Sequence, residues 1–479
     1  MTFVKNHALK IILLIAVILR LCMLFVFSDI FNFVESEAIH GSDAYDVYAT
    51  NLLETGVYGR TSGVPDALIP PMYSYVLAGV YAIFGRGFLQ VGLFHILLDI
   101  GTMLLLYEIA RRLFSGANIQ EDADGTFLGI ETNRWVGLLA VLMMACYPYL
   151  IFQNLTLIDT PFWMLMLHLF VWLMILLRDE PAGQRVWWLA ITTGLALGIA
   201  TMARSITPPL ALLGALWFTF RLSWWESFKR LLPVAIISVL CVVPWIARNY
   251  IVFDTFIPMS TTSGSNLYQG NNEFVVPLME AGYDVQWTAP DPALLEGAET
   301  QREQDAIRTE LVVQYWQDNP DELLPLFWTK FLVQWSVEIT PRLNPQFGET
   351  FALDDDGQLI VNRGDESIEG VNEANVAYNG GLIDTVGRPV HIFYFGSLLF
   401  LALMGFLLSL RYWREVSWLW FVQISFTFMY VLFHSSTRYR VPTDPMLFIF
   451  SAYGLLFVLA MLQTMFTLPS AKSASADMT

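Results

Sequence analysis

The chain has 479 residues, of which 55% are hydrophobic, 15% aromatic and 14% charged, and its net charge is −17. Soluble globular domains carry about 25% charged residues, so this composition predicts an integral membrane protein, and it excludes a disordered protein. The negative charge excludes a nucleic-acid-binding protein of the usual basic kind. The three cysteines lie in apolar runs and do not have the spacing of a disulfide or zinc framework.

Ten apolar runs are long enough to cross a bilayer, which needs about 20 residues of helix. They lie at 8–28, 88–110, 135–153, 160–177, 186–203, 205–220, 231–250, 391–410, 417–434 and 443–466. Lysines and arginines cluster in the loops at one end of these runs, and the positive-inside rule places that end in the cytoplasm. We therefore expect a multi-pass protein of the plasma (inner) membrane, with both termini inside and segments 29–87, 251–390 and 435–442 outside.

Two segments on the outer face have helical character but are too short to span the membrane. In 43–55, apolar residues recur at positions i, i+3, i+4 and i+7, which is the spacing of an amphipathic helix. The apolar run 70–84 opens with two prolines, and counting it as a span would break the alternation of the basic loops. We therefore expect both segments to be helices that lie along the outer interface.

One outer loop carries the whole net charge of the chain. Segment 251–390 has 23 Asp and Glu against 6 Lys and Arg, whereas the rest of the chain has 20 of each sign. Helical patterns lie within it at 301–317 and 321–335, and 353–380 is rich in Asp, Gly and Asn, which predicts a loop. Acidity of this kind is more often a solvated face than a cation site.

These elements divide the chain into four parts. Residues 1–250 form an N-terminal membrane module, 251–390 an acidic extracytoplasmic subdomain, 391–468 the C-terminal transmembrane helices, and 469–479 a disordered cytoplasmic tail. The predicted fold class is an all-α polytopic membrane protein, a bundle of about ten transmembrane helices with helices along the outer interface and a large extracytoplasmic loop.

Two aspartates stand at the outer boundary of the membrane. Asp43 opens the segment 43–55, and Asp159 precedes Thr160 and Pro161 where the fourth run begins. Each could simply cap a helix, because aspartate side chains accept hydrogen bonds from the first backbone N–H groups of a helix. Each could also act as a general base, and the residues alone leave both alternatives open.

Four arginines lie on the outer side, which the positive-inside rule keeps poor in basic residues. They are Arg204 after the fifth run, Arg248 at the outer end of the seventh, and Arg438 and Arg440 before the last. A guanidinium at this depth costs about 2.5 kcal/mol or more unless it has a partner. The partners could be the two aspartates, or the phosphate of a ligand held in arginine forks.

Carboxylates and arginines at one membrane face suit the transfer of a sugar from a lipid phosphate. A carboxylate would take the proton from the acceptor hydroxyl as general base, and arginines would stabilise the negative charge on the departing phosphate. A general acid is not required, because a phosphate monoester is a good leaving group.

Four segments resemble the GT-C membrane glycosyltransferases of the protein-mannosyltransferase-like group, which includes the aminoarabinose lipid A transferases and the rhizobial lipopolysaccharide glycosyltransferases. They are SDAYDVYATNLLETGVYG, PPMYSYVLAGVYAIFG, PWIARNYIVFDTFIPMSTTSGSNLYQGNN and HSSTRYRVPTDPMLFIFSAYG, in family order along the chain. The resemblance implies a GT-C-like bundle, a polyprenyl-phosphate sugar donor, an active site on the extracytoplasmic face and inversion at the sugar carbon.

The resemblance also implies roles for individual residues. Asp43 matches the first acidic residue of the family, the general base, and Asp159 matches the second acidic position. The candidate substrate-binding residues are Asp46, Arg204, Arg248, Asn266, Asn271, Asn272, His434, Arg438, Tyr439 and Arg440. Some members of the group bind a divalent cation (Mg or Mn) between their acidic residues and others do not, so Asp43 and Asp159 are also the candidate metal ligands.

Two other classes of function stay open beside a hexosyl or pentosyl transferase. A lipid-linked sugar flippase or transporter would also need arginines, but such proteins commonly have polar residues at mid-membrane and two related halves. A non-catalytic subunit would use the acidic loop to hold a partner. For the enzyme, the acceptor is a glycolipid, a cell-envelope glycan or a protein hydroxyl, and the residues do not indicate which sugar is transferred.

Overall fold

A computed structural model of the chain describes residues 2–30, 33, 43–117, 126–127, 130–343, 345, 349–363 and 383–467. The side chain of Asp43 and the tail 469–479 lie outside this description. Most of the described chain is helical, as predicted, and seven of its helical stretches are long and apolar enough to cross a membrane. The all-α polytopic fold class is therefore confirmed.

The helices, in chain order, are α1 (Thr2–Val26), α2 (Asp43–Thr55), α3 (Met72–Phe84), α4 (Phe88–Leu113), α5 (Thr132–Ala145), α6 (Pro148–Gln153), α7 (Thr160–Asp179), α8 (Gln184–Ala203), α9 (Pro208–Phe218), α10 (Trp224–Phe253), α11 (Ser263–Gln269), α12 (Val275–Ala281), α13 (Gln301–Asp318), α14 (Leu323–Gln334), α15 (Arg388–Ser409), α16 (Trp413–Leu432), α17 (Thr437–Arg440) and α18 (Asp444–Thr467). The strands are β1 (Thr126–Phe127), β2 (Ile130–Glu131), β3 (Glu349–Leu353) and β4 (Leu359–Arg363). Helices α15 and α16 belong to one apolar stretch and are joined by a short turn of 3-10 helix.

Two of the ten predicted spans are shorter helices. The run 135–153 divides into α5 and α6, because Pro148 has no backbone N–H to continue a helix and instead occupies the first turn of a new one. The run 205–220 is reduced to α9, whose 11 residues begin at Pro208 for the same reason. The other eight runs form the long apolar helices of the bundle.

The two short helices predicted on the outer face are present as α2 and α3, each of 13 residues, and they pack against each other. One face of α3 is buried through Tyr73, Leu77 and Tyr81. Helix α3 ends at Gly85, whose φ of +84° is in the left-handed region that favours glycine. This stop turns the chain from the outer surface into the long helix α4.

The acidic subdomain contains α11 to α14 and the β3–β4 hairpin. Helices α13 and α14 confirm the predictions at 301–317 and 321–335. The subdomain has its own small apolar core, formed by Val275, Leu278, Tyr283, Val285 and Leu326. A buried lysine attaches it to the bundle: the Nζ of Lys330 donates to the carbonyls of Gly270 (2.8 Å) and Leu432 (3.2 Å).

The hairpin replaces the start of the loop predicted at 353–380. Strands β3 and β4 pair antiparallel, with Leu353 opposite Leu359. The aspartates and glycine that indicated a loop form the turn between them: Asp354 accepts hydrogen bonds from the backbone of Asp356 and Gln358, and Gly357 has a φ of +75°. The strands on either side of this turn were missed because turn residues dominate the composition of the segment.

Candidate functional site at the outer membrane face

The site is built around a paired carboxylate and guanidinium. Asp159 stands just before α7 and Arg204 just after α8. The Nε of Arg204 donates to Oδ2 of Asp159 and its Nη2 donates to Oδ1, both at 2.6 Å, so the two groups form a fork. The Asp159 side chain makes no capping hydrogen bond to the backbone of α7. Asp159 therefore holds an arginine rather than capping the helix.

The third nitrogen of this guanidinium is not satisfied. The Nη1 of Arg204 is buried and has no hydrogen-bond partner among the described residues. The hydroxyl of Tyr430 lies near this guanidinium, and it too has no partner within hydrogen-bonding geometry in the described part of the chain. Leaving a buried donor unpaired costs about 1–3 kcal/mol. Three acceptors would satisfy this nitrogen: the adjacent Tyr430 hydroxyl, a water molecule or the oxygen of a ligand.

A tyrosine that the sequence analysis did not single out belongs to the same site. Tyr45 lies on α2, and its hydroxyl is within the electric field of Asp159, Arg204 and Arg438. Burial, and next the negative charge of Asp159, raise the pKa of Tyr45 above its usual range, so this side chain is a neutral hydrogen-bond donor. Its place beside Asp43 on a short helix was the only signal that the sequence offered.

The segment that follows α16 forms a second polar group. His434 is buried, and its Nδ1 lies 3.3 Å from the carbonyl oxygen of Asn266. Because that oxygen only accepts, Nδ1 carries the proton and Nε2 is an acceptor for the hydroxyl of Tyr439, at 2.8 Å. Burial lowers the pKa of His434 to about 4, so the imidazole is neutral.

Arg438 and Tyr439 extend this group towards the site. The Nη2 of Arg438 donates to the Tyr439 hydroxyl at 2.8 Å, and the Tyr439 ring stacks on Tyr430 at 4.8 Å. Gln286, from the acidic subdomain, donates to the same Tyr439 hydroxyl and lies 3.1 Å from Nε2 of His434. The subdomain therefore reaches the predicted site residues directly, through a side chain that nothing in the sequence distinguished.

Two of the other predicted arginines are engaged with the protein. Arg440 is buried and pairs with Asp444 (Nε to Oδ1, 3.1 Å), and its guanidinium lies 3.8 Å above the ring of Phe395. Its Nη2, like Nη1 of Arg204, is buried without a hydrogen-bond partner among the described residues. Arg248 donates to the backbone carbonyls of Asp66 (2.7 Å) and Tyr58 (2.8 Å). These contacts hold the C-terminal bundle and the loop after α2 in place.

Asp46 and the predicted asparagines are also bound within the protein. Both oxygens of Asp46 accept hydrogen bonds from Arg86, at 3.0 and 2.6 Å. The amide of Asn271 donates to the carbonyl of Leu267 (2.7 Å) and the amide of Asn272 donates to that of Tyr268 (2.7 Å). Asn266 takes part through its backbone carbonyl, which accepts from His434. Their substrate-binding roles stay predictions.

The described residues do not fit a divalent cation at Asp159. Both carboxylate oxygens of Asp159 are occupied by Arg204, and a guanidinium at 2.6 Å would repel a metal ion. Within the described ranges there is no group of three or more His, Cys, Asp or Glu side chains arranged to hold a metal. Asp43, the other candidate ligand, begins α2 two residues before Tyr45, and its side chain lies outside the described structure.

Comparison with known proteins identifies a matching family and similar solved structures. The family described as dolichyl-phosphate-mannose-protein mannosyltransferase matches residues 69–119, which contain α3 and α4. The crystal structure of the Archaeoglobus fulgidus oligosaccharyltransferase in complex with Zn and sulfate is similar, with 14% sequence identity and a TM-score of 0.47, over 95% of this chain and 50% of that chain. The chain thus spans about half the length of that protein. Among curated proteins, none has significant sequence similarity to the chain.

The family match confirms the resemblance to the protein-mannosyltransferase-like GT-C group over this segment. Together with the long apolar helices it indicates a multi-pass membrane protein and supports a membrane glycosyltransferase.

Proposed function

We propose that this protein is an integral-membrane, inverting glycosyltransferase that moves a sugar from a polyprenyl-phosphate donor to an acceptor hydroxyl on the extracytoplasmic face. The observation that carries the proposal is the state of Arg204, which has two nitrogens on Asp159 and a third, buried nitrogen without a partner in the described residues. A fixed guanidinium with one free donor is suited to an anionic ligand such as a phosphate.

The donor phosphate binds between Arg204 and Arg438. During transfer the bond between the sugar carbon and the phosphate oxygen breaks, and the phosphate leaves with the electron pair. Donors that are already oriented towards this developing charge lower the barrier, because they need no reorganisation at the moment of reaction. Asp159 supplies that orientation by holding two nitrogens of Arg204, so its own contribution is electrostatic and positional.

The acceptor hydroxyl attacks the opposite face of the sugar carbon and gives its proton to Asp43. This role of Asp43 rests on the family resemblance and on its place two residues before Tyr45 on α2. A well-placed carboxylate base contributes about 10²–10⁴-fold. The neutral hydroxyl of Tyr45 donates a hydrogen bond to the phosphate or the sugar, which explains a tyrosine among charged groups.

The acidic subdomain covers the site from outside and takes part in acceptor choice. Its support is Gln286, which bonds to the Tyr439 hydroxyl next to Arg438. The acceptors that the proposal includes are a glycolipid, a cell-envelope glycan and a protein hydroxyl.

A lipid-linked sugar flippase is the alternative, and one observation bears on it. Arg20 on α1 and Asp99 on α4 form a charged pair inside the membrane part, where a transport path would be polar. Both side chains are 1% exposed and bound to each other, which favours a structural element over an open path.

Transfer from radiolabelled polyprenyl-phosphate sugars, in membranes with matched expression, tests the proposal. We expect Asp43→Asn to lower transfer by about 10²–10⁴-fold. Arg204→Lys should lower it by about 100-fold, because one ammonium cannot both hold two carboxylate oxygens and donate to a phosphate. Arg342→Lys is the control, since Arg342 is exposed and paired with Glu338 in the acidic subdomain.

The outcomes separate the hypotheses. Full activity of Arg204→Lys would show that the Arg204 guanidinium does not bind the donor phosphate. Full activity of Asp43→Asn would show that another residue is the general base. A wild type that transfers no sugar from several donors, but moves a fluorescent lipid-linked sugar across proteoliposomes, would establish the flippase instead.

A further inference from the structure

A chain of polar side chains runs from the middle of the membrane helices to the site. It begins at Arg20, whose Nε donates to Oδ2 of Asp99 at 2.7 Å and whose Nη1 donates to the carbonyl of Ala145 at 3.0 Å. Ionisable residues inside membrane helices are costly, and a buried ion pair is weak evidence for stability by itself. A role beyond stability would account for the presence of this pair.

Asn154 connects the ion pair to the loop that carries Asp159. Its Nδ2 donates to Oδ2 of Asp99 at 2.8 Å and to the carbonyl of Leu150 at 2.9 Å. Asn154 is the first residue after α6, and the loop 154–159 ends at Asp159 where α7 begins. The carboxylate of Asp99 therefore fixes the start of the loop whose last residue holds Arg204.

His95 connects the same asparagine to the outer helices. Its Nδ1 lies 3.3 Å from the carbonyl oxygen of Asn154, which only accepts, so Nδ1 is the donor. Its Nε2 then accepts from the hydroxyl of Tyr73 on α3, at 2.6 Å. Both His95 and Tyr73 are completely buried, so water does not compete with these bonds.

Tyr73 connects the network to α2 through an aromatic contact. Its ring lies 5.1 Å from the ring of Tyr45, edge to face, which is a favourable geometry for an aromatic pair. Tyr45 is the residue of α2 whose hydroxyl lies in the field of Asp159 and Arg204. The network thus ends at the site in two places, at Asp159 through the loop and at Tyr45 through α3.

We propose that the network of Arg20, Asp99, Asn154, His95 and Tyr73 consists of positioning residues that set the distance between α2 and the 154–159 loop. Only the effect of these residues on the transfer rate rests on the proposed function. A displacement of about 1 Å between groups that act on one substrate can lower a rate about 100-fold. His95 is the central residue of the network, because it bonds both to Asn154 at the start of the 154–159 loop and to Tyr73 on α3.

Tyr73→Phe tests the bond between Tyr73 and His95 with the smallest change, since it removes only the hydroxyl and keeps the ring that packs on Tyr45. We expect kcat to fall about 10- to 100-fold with the KM for the donor within about threefold of wild type. Tyr453→Phe is the matched control: Tyr453 is also completely buried, and its hydroxyl accepts from Arg411 in the turn between α15 and α16. A residue that only stabilised the fold would lower the melting temperature and leave kcat unchanged.

Substitution of His95 gives a graded second test. His95→Gln provides an amide oxygen where Nε2 was, and this oxygen can accept from Tyr73. His95→Phe can bond to neither Tyr73 nor Asn154, so His95→Gln should retain more activity than His95→Phe. Adding Tyr73→Phe to His95→Phe should cause little further loss, because both remove the same bond. Additive losses would contradict a single network.

Amide hydrogen exchange in nanodiscs gives a readout that does not depend on activity. We expect His95→Phe to increase exchange in 43–55 and in 154–159 together. His168→Phe is the control, because His168 is equally buried on α7 and, among the described residues, bonds only within that helix, to the Met164 carbonyl. Unchanged exchange in both segments overturns the inference even if wild type transfers no sugar, whereas increased exchange with no transfer by wild type would count against the proposed function alone.

Discussion

His434 connects the acidic subdomain to the 434–440 segment through one imidazole. Its Nδ1 donates to Asn266 in the acidic subdomain, and its Nε2 accepts from Tyr439 beside Arg438. Burial, and to a smaller extent the positive charges of Arg438 and Lys330, lower its pKa to about 4, against the opposing effect of the Asn266 carbonyl. The usual pKa of histidine in an unfolded chain is about 6.5.

The depressed pKa predicts a pH window for this residue. The folded state disfavours a protonated His434, so the stability that the neutral form contributes is present above pH of about 6.5 and is lost as the pH falls towards 4. A shift of this size corresponds to about 3 kcal/mol. His434→Gln keeps an acceptor for Tyr439 and cannot be protonated, so the fall in melting temperature of the purified protein between pH 6.5 and 4.5 should be smaller for this variant. Parallel curves for wild type and variant would contradict the neutral assignment.

At the scale of elements, α15 and α18 approach each other through glycines. A Cβ added at Gly405 would lie 1.9 Å from the carbonyl oxygen of Phe450, and one added at Gly454 would lie 2.5 Å from that of Leu401. Small residues allow membrane helices to pack backbone against backbone, where dispersion contacts supply the association energy. Helix α18 follows the 434–440 segment into the membrane. The packing of α18 against α15 therefore holds the segment that carries Arg438 and Arg440 in place.

Gly405→Ala should lower the melting temperature, because the methyl group forces α15 away from α18. Alanine is the better helix former by about 1 kcal/mol, so helix propensity alone would raise the melting temperature. A fall in the melting temperature therefore indicates a steric clash between the two helices. Gly79→Ala is the control, since a Cβ at Gly79 on α3 meets nothing within 4 Å and should leave the melting temperature unchanged or raise it. Equal effects of the two substitutions would show that the helices do not pack as described.

At the scale of the whole molecule, the placement of the basic residues predicts the orientation in the membrane. The acidic segment 251–390 carries the entire net charge, and the loops at the opposite ends of the helices hold the clustered basic residues. This orientation puts Asp159, Arg204 and Arg438 at the face where polyprenyl-phosphate sugars would be consumed under the proposed function.

Labelling of single introduced cysteines tests this orientation. Glu299→Cys, at an exposed position of the acidic subdomain, should react with a membrane-impermeant maleimide in intact cells. Arg185→Cys, also exposed but in the first turn of α8 beside the loop from α7, should react only after the membrane is made permeable. The reverse pattern would place the site on the cytoplasmic face. The three native cysteines provide the background measured in wild type.

Local sequence patterns were sufficient for most of the elements. Hydrophobic runs and helical spacing depend on neighbours within one or two turns, so they located eight long helices, the short helices α2 and α3, and α13 with α14. The prolines at 148 and 208, visible in the sequence, set the ends of the two shorter helices. The sequence also identified Asp159, Arg204 and Arg438 as unusual charges at the outer boundary.

Only the tertiary structure decided which of these residues act together. Asp159 and Arg204 are 45 positions apart, and their fork exists because α7 and α8 pack with those ends side by side. Tyr45 and Gln286 stand in ordinary local contexts and become site residues through packing alone. The Arg20–Asp99 pair was missed because each charge lies within an otherwise apolar run, and its meaning depends on a partner 79 residues away. Local propensity determines where helices form, whereas the partner of a buried charge is determined by which helices pack together.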